Sequence, residues 1–168
     1  LPFEKRVEVI SEQGFLVENW NWANKDLVAL SKTGAYFQSM TGYLEGDLIE
    51  EDGIARLLET AAESIEASKI IGCDNLNIHG TGLDESGQAI RKKESVTKAQ
   101  WLTATDTLSR LADLGMAHNK IFTLENLNLA VDHPGTPFAK AFETRELVSA
   151  VDSPNLKMNL DLYHAQIG

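Results

Sequence analysis

Residues 120–125, KIFTLE, and 156–161, LKMNLD, read as two β-strands with the same chemical plan. Side chains alternate across a strand. Phe122 and Leu124 therefore fall on one face, and Ile121, Thr123 and Glu125 on the other. In the second run Leu156, Met158 and Leu160 oppose Lys157, Asn159 and Asp161. NLNIH, 75–79, repeats the pattern, with Leu76 and Ile78 opposing Asn75, Asn77 and His79. Each strand has an apolar face suited to a covering helix. Each also has a polar face, and the last members of these faces are Glu125, Asp161 and His79.

The segments around these strands complete an alternation. Helical spacing appears at 53–71, where Ile54, Leu58, Ala61 and Ile65 recur at three- and four-residue steps, and at 96–116, through Trp101, Ala104, Leu108, Leu111 and Gly115. Shorter helices are predicted at 3–13, 25–33 and 144–151, the last with Thr144 as N-cap. Strands are predicted at 15–19 and 35–40 as well, and 80–95 and 126–143 read as loops. Five strands alternating with five helices imply parallel strands joined by right-handed crossovers. The Rossmann glycine fingerprint follows none of the strands, and no helix promptly follows Gly80 and Gly82. The fold class is therefore α/β, a (β/α)8 TIM barrel. It is incomplete in this sequence, which holds strands two to six with their helices. A closed barrel needs eight strands and about 250 residues. Residues 1–168 are expected to form one domain. A start at Leu1 inside a helix-like pattern and an end at Gly168 suggest truncation on both sides.

Composition narrows the function. The 168 residues are 43% hydrophobic with a net charge of -10, from 15 Lys and Arg against 25 Asp and Glu. That balance argues against a phosphate-backbone partner, which calls for a basic stripe. No apolar run approaches a membrane span, and the single cysteine, Cys73, allows no internal disulfide. A cytoplasmic location is expected. Cys73 reads as inert core, and His118 as a helix C-terminal residue favoured by the dipole. His133 lies in a Pro/Gly loop, where packing or a substrate contact are both open. Trp20 and Trp22 read as a pocket wall or as ordinary packing.

Parallel barrels place their chemistry at the C-terminal strand ends. Glu125, Asp161 and His79 end their strands there, and His164 follows Asp161 by three residues. Carboxylates are costly to bury unless paired or metal-bound, so their convergence with an imidazole suggests a divalent cation site. The plainer alternatives are a solvated strand end for Glu125, a loop cap for Asp161, and hydrogen-bonded core roles for His79 and His164. Glu18, on the FLVEN strand, reads as a hydrogen-bonding group toward substrate or a neighbouring strand.

IFTLENLN (121–128) and SPNLKMNLDLYHAQ (153–166) together resemble hydroxypyruvate isomerase and its relatives in the xylose isomerase-like barrel superfamily. The matching positions are Glu125, Asn128, Asp161, His164 and Gln166. The Ser-Pro-Asn-Leu approach at 153–156 and the Gly72-Cys73 pair also match. Asn126 stands where those isomerases commonly carry Pro. The resemblance implies a magnesium or manganese ion held by four side chains from strands five to eight, of which Glu125 and Asp161 are two. It implies Glu125 as acid/base, His164 and Asn128 as substrate-binding, and His79 and Glu18 lining the same cavity. The family's usual strand-four histidine aligns with either His79 or Asn77. The implied activity is isomerisation of a small hydroxy-keto acid or sugar through an enediolate. A ketose 3-epimerase or inosose dehydratase of the same superfamily is the alternative, and an inactive barrel fragment is a further one. The DNA-repair endonucleases of the superfamily need a basic groove and more than the four histidines present. The expected partners are thus a small-molecule substrate, with no nucleic acid and no membrane, and homo-oligomer formation is left open.

Overall fold

A computed structural model describes all residues, Leu1–Gly168. Five strands, β1 (Val17–Asn19), β2 (Phe37–Thr41), β3 (Asn75–Ile78), β4 (Ile121–Glu125) and β5 (Leu156–Asn159), form one sheet in the order of the chain. Every neighbouring pair is parallel. A doubly wound sheet reverses its strand order at a switch point. An uninterrupted sequential order is that of a (β/α) barrel wall.

The helices are α1 (Phe3–Glu12), α2 (Leu27–Ser31), α3 (Glu51–Ile71), α4 (Lys98–His118), α5 (Ala141–Val151) and α6 (Leu162–Ile167), with a 3-10 turn at Trp22–Asn24. Three sequence expectations are corrected. The last loop was expected to run to residue 143, but α5 begins at Ala141, so Thr144 is no N-cap. Thr144 is buried within the first turns, and its hydroxyl donates to the Phe138 carbonyl at 3.1 Å. Glu143 instead accepts from the Lys140 backbone N–H, which serves the helix start from inside. The sixth helix was not expected. Asp161 caps it by accepting from the His164 backbone N–H at 2.9 Å, a role its short acceptor side chain suits. The third concerns the stripe of α3, which centres on Leu57, Ala61 and Ile65, all 0% exposed, while Leu58 is only partly buried. The start of α4 carries a legible signal, a Thr97–Gln100 capping box.

The predicted apolar strand faces pack outward onto these helices. Met40, Leu76, Ile78, Phe122, Leu124 and Leu156 join Leu57, Ile65, Leu108 and Leu111 in one 25-residue cluster. β5 ends at Asn159, short of the 156–161 strand the sequence implies, and Leu160 beyond it is exposed. Cys73 is buried in the cluster, and burial pushes its thiol up to about 11, which leaves it protonated and inert at neutral pH. At the N-terminal end of the sheet, buried Lys120 donates to the Cys73 carbonyl at 2.8 Å and to Asp74 at 2.9 Å. The ion pair and carbonyl bond satisfy a cation that burial alone would not tolerate. No helix is long and apolar enough to cross a membrane.

Candidate metal centre

Parallel register stacks the inward-facing polar residues side by side. Asn77 pairs with Thr123 across β3 and β4, and Glu125 with Asn159 across β4 and β5. Asn77 is the hub of this layer. Its Nδ2 donates to Glu125 Oε2, and its Oδ1 accepts from Thr123 Oγ1 at 3.0 Å and Asn159 Nδ2 at 3.2 Å. The Glu125 carboxylate only accepts, which settles which end of the Asn77 amide is nitrogen.

His79 reaches the same carboxylate. Its Nε2 lies 3.0 Å from Glu125 Oε2, and its Nδ1 lies 3.1 Å from Tyr43 Oη. The Tyr43 hydroxyl donates to the Thr81 carbonyl at 2.7 Å, so its oxygen accepts from His79 Nδ1–H. A single proton then bridges His79 Nε2 and Glu125. Burial raises the Glu125 carboxyl's pKa, but the hydrogen bond and charge of His79, with help from Asn77, outweigh it. Glu125 is held below the usual carboxylate range. His79 is 1% exposed with the Trp20 ring tilted against it, centroids 5.5 Å apart, so it acts on Glu125 from within the wall.

The ends of β4 and β5 are clamped by Asn126, a residue absent from the sequence-based set. Its Oδ1 accepts from the Asp161 N–H at 2.9 Å and its Nδ2 donates to the Asp161 carbonyl at 3.0 Å. The buried amide extends the strand ladder by one rung and fixes Asp161 beside Glu125. One ligand atom each from Glu125, Asp161 and His164 lie within 4.8 Å of one another. Glu125 Oε2 and Asp161 Oδ1 already accept protein donors, which leaves one oxygen on each carboxylate without one. Two hard oxygen ligands beside an imidazole fit a divalent cation.

The remaining residues separate by exposure. Glu18, on β1, faces the same side as this layer and accepts from Ser39 Oγ at 3.1 Å. Its residue surface is exposed, yet desolvation of the carboxyl raises its pKa. Ser39 opposes the shift, and the Glu125 charge adds to it. A raised carboxyl pKa means the fold binds the extra proton, so stability is fully present below 4.5 and falls as pH rises through the folded value. Glu18→Gln is therefore expected to leave stability unchanged at pH 3 and raise it at about pH 7, by less than about 1 kcal/mol at so exposed a site. Urea unfolding at both pH values checks this, and a loss at pH 7 contradicts it. Asn128 is 0% exposed, and its amide is spent entirely on protein groups, which removes it from substrate contact. Gln166 is exposed on α6. Asn77, Asn126, Asn159 and Tyr43 were missed as supports. Asn77 and Asn159 carried a signal in strand alternation, and the others carried none.

Beside His79 lies a cavity of about 560 Å³, lined among others by Trp20, Asn21, Thr41, Tyr43, Asp84 and Glu85, with Lys25 its sole cation. Trp20 and Tyr43 thus serve as a pocket wall.

A family model described as xylose isomerase-like TIM barrel matches residues 18–168. Among solved structures, an AP endonuclease, family 2, from Brucella melitensis superposes with a TM-score of 0.82 at 21% identity, over 99% of this chain and 66% of that one. The IOLI protein with a bound zinc atom gives 0.75 at 15% identity, over 97% and 59%. The 3-keto-D-glucoside 4-epimerase YcjR from E. coli gives 0.71 at 16%, over 98% and 65%. The chain therefore spans less than two thirds of the length of each. No curated protein sequence matches it.

Proposed function

Because the chain belongs to the xylose isomerase-like TIM barrel family, we propose that it carries the acid/base and part of the cation site of a metal-dependent isomerase. Its substrate is a small hydroxy-keto acid or sugar, and its reaction moves a proton between adjacent carbons through an enediolate. The observation that carries this reading is the convergence of Glu125, at the end of β4, with Asp161 and His164, at the start of α6.

Glu125 and Asp161 would hold magnesium or manganese through the oxygens left free by their protein donors. When bound, such a cation supplies positive charge that stabilises the enediolate oxygens, whose charge makes the uncatalysed step slow. Glu125 receives the substrate proton as carboxylate and returns it to the neighbouring carbon. Asn77 and His79 keep Oε2 in place during the transfer. Asn126 keeps Asp161 in register with it.

The cavity beside His79 has none of Glu125, Asp161 and His164 in its lining; taken as the substrate's approach to them, it favours the neutral end of the substrate class, which supports the epimerase alternative. Asp84 and Glu85 outnumber Lys25 along its lining, while Asn21 and Thr41 offer partners for hydroxyl groups. A free carboxylate would meet repulsion there. The net charge of -10 and the acidic mouth also support a small molecule over DNA as ligand.

The test is deuterium uptake from D2O by D-fructose, D-tagatose, D-psicose and hydroxypyruvate, with Mn2+ and with chelator. Cation-dependent uptake is expected, greater for the ketoses than for hydroxypyruvate. No uptake by any of the four, with Mn2+ bound, overturns the isomerase reading. Greater uptake by hydroxypyruvate overturns the preference for a neutral substrate.

A further inference from the structure

His164 lies close enough to Glu125 and Asp161 to count as a third cation ligand. The hydrogen bonds around it give it a different part. Asn128 Oδ1 accepts from the Val131 N–H at 3.0 Å and the Asp132 N–H at 2.9 Å, which fixes it as the oxygen. The two Nδ2 protons must then go elsewhere. One goes to Asp132 Oδ2 at 2.7 Å, which also accepts from Tyr163 Oη at 2.9 Å. The other goes to His164 Nδ1 at 2.8 Å. An amide nitrogen donates and does not accept, so Nδ1 is the bare nitrogen of the ring. In a neutral imidazole the proton then sits on Nε2, which makes no hydrogen bond within the protein.

A cation needs a lone pair, and Nε2–H has none to offer. A substrate oxygen needs a donor, and Nε2–H is one. We propose that Asn128 is a positioning residue that locks His164 in the Nε2–H form, so that His164 donates to a ligand oxygen and takes no part in holding the cation. The proposal deepens the isomerase reading, on which it rests only for the identity of that oxygen as a substrate hydroxyl or carbonyl. His133, whose ring centre lies 5.0 Å from that of His164, is fixed the opposite way. Its Nδ1 lies 2.6 Å from the Gly87 carbonyl, which can only accept, so Nδ1 carries the proton.

Long-range proton–nitrogen NMR correlations distinguish the two forms, and His133 supplies an internal control. In the full chain without cation, at about pH 8, above the ordinary imidazole range, His164 is expected as Nε2–H and His133 as Nδ1–H. Exchanging the two partners, Asn128→Asp with Asp132→Asn, puts an acceptor opposite His164 Nδ1. The His164 pattern is then expected to invert while that of His133 stays. A parent spectrum with His164 as Nδ1–H overturns the proposal even if the double variant does not fold. So does a folded double variant that keeps Nε2–H. Mn2+ titration gives the second readout. Loss of even an outer-sphere partner weakens binding by on the order of tenfold or more, whereas His164→Gln is expected to leave it within about twofold. Tenfold weakening overturns the donor role. Failed deuterium uptake with an Nε2–H spectrum would fault the isomerase reading alone.

Discussion

Glu125→Gln is expected to lower deuterium uptake into substrate by about 10²- to 10⁴-fold, the usual contribution of a positioned acid/base. The substitution is nearly isosteric, and its surroundings can accept it. Asn77 Nδ2 still finds an oxygen acceptor. Kept in the Oε2 position, that oxygen also faces His79 Nε2, and the new –NH2 takes the place of Oε1, the oxygen without a protein donor. The wall is thereby preserved while the proton acceptor is lost. Thermal unfolding should move by only a few degrees, as for about 1 kcal/mol in a chain of this size. Uptake at the parent rate would remove Glu125 from the mechanism. Lost uptake with a collapsed fold would make the residue structural.

Phe122→Ala is expected to destabilise the fold by about 3–5 kcal/mol, the range for emptying a buried aromatic site. Phe122 is 0% exposed and pairs in register with Leu76 on one side and Leu156 on the other. Gly115 of α4 lies so close that an added Cβ would meet the Phe122 ring at 3.3 Å and the Lys120 carbonyl at 2.7 Å. The helix is pressed against the strand there, and a backbone so placed cannot collapse into the void. A domain with about 5–15 kcal/mol in total would lose a fifth or more of its stability. Leu102→Ala is the control, since Leu102 is 64% exposed and lies outside the core cluster. It should cost less than about 0.5 kcal/mol. Urea midpoints for both variants decide the matter, and a Phe122→Ala cost below about 1 kcal/mol would mean that the outer face does not carry the fold.

The same pair of faces explains what was legible in the chain. Leu76, Ile78, Phe122 and Leu124 announce their face by strict alternation, and all are 0% exposed. Glu125 ends the polar face of β4 as its alternation implies, but β5 stops at Asn159, which pairs with Glu125, and Asp161 reaches the same rim two residues later as the cap of α6. The start of α5 was not legible, because Thr144 bonds back to Phe138 from inside the helix and a hydroxyl looks the same in either role. Nor was α6, a single short helix whose cap, Asp161, also serves the rim.

Sequence alone determined the alternation of strand and helix, the division of each strand into apolar and polar faces, and the rim on which the carboxylates lie. Those follow from local periodicity, which the backbone imposes on any chain. Tertiary structure alone decided which donors each rim group meets. Asn77 joins Glu125 from 48 residues away, Asn126 clamps Asp161 across 35, and Asn128 sets the tautomer of His164 across 36. Hydrogen bonds are directional and short, so they depend on where separate strands and loops come to rest, and no spacing along the chain encodes that position.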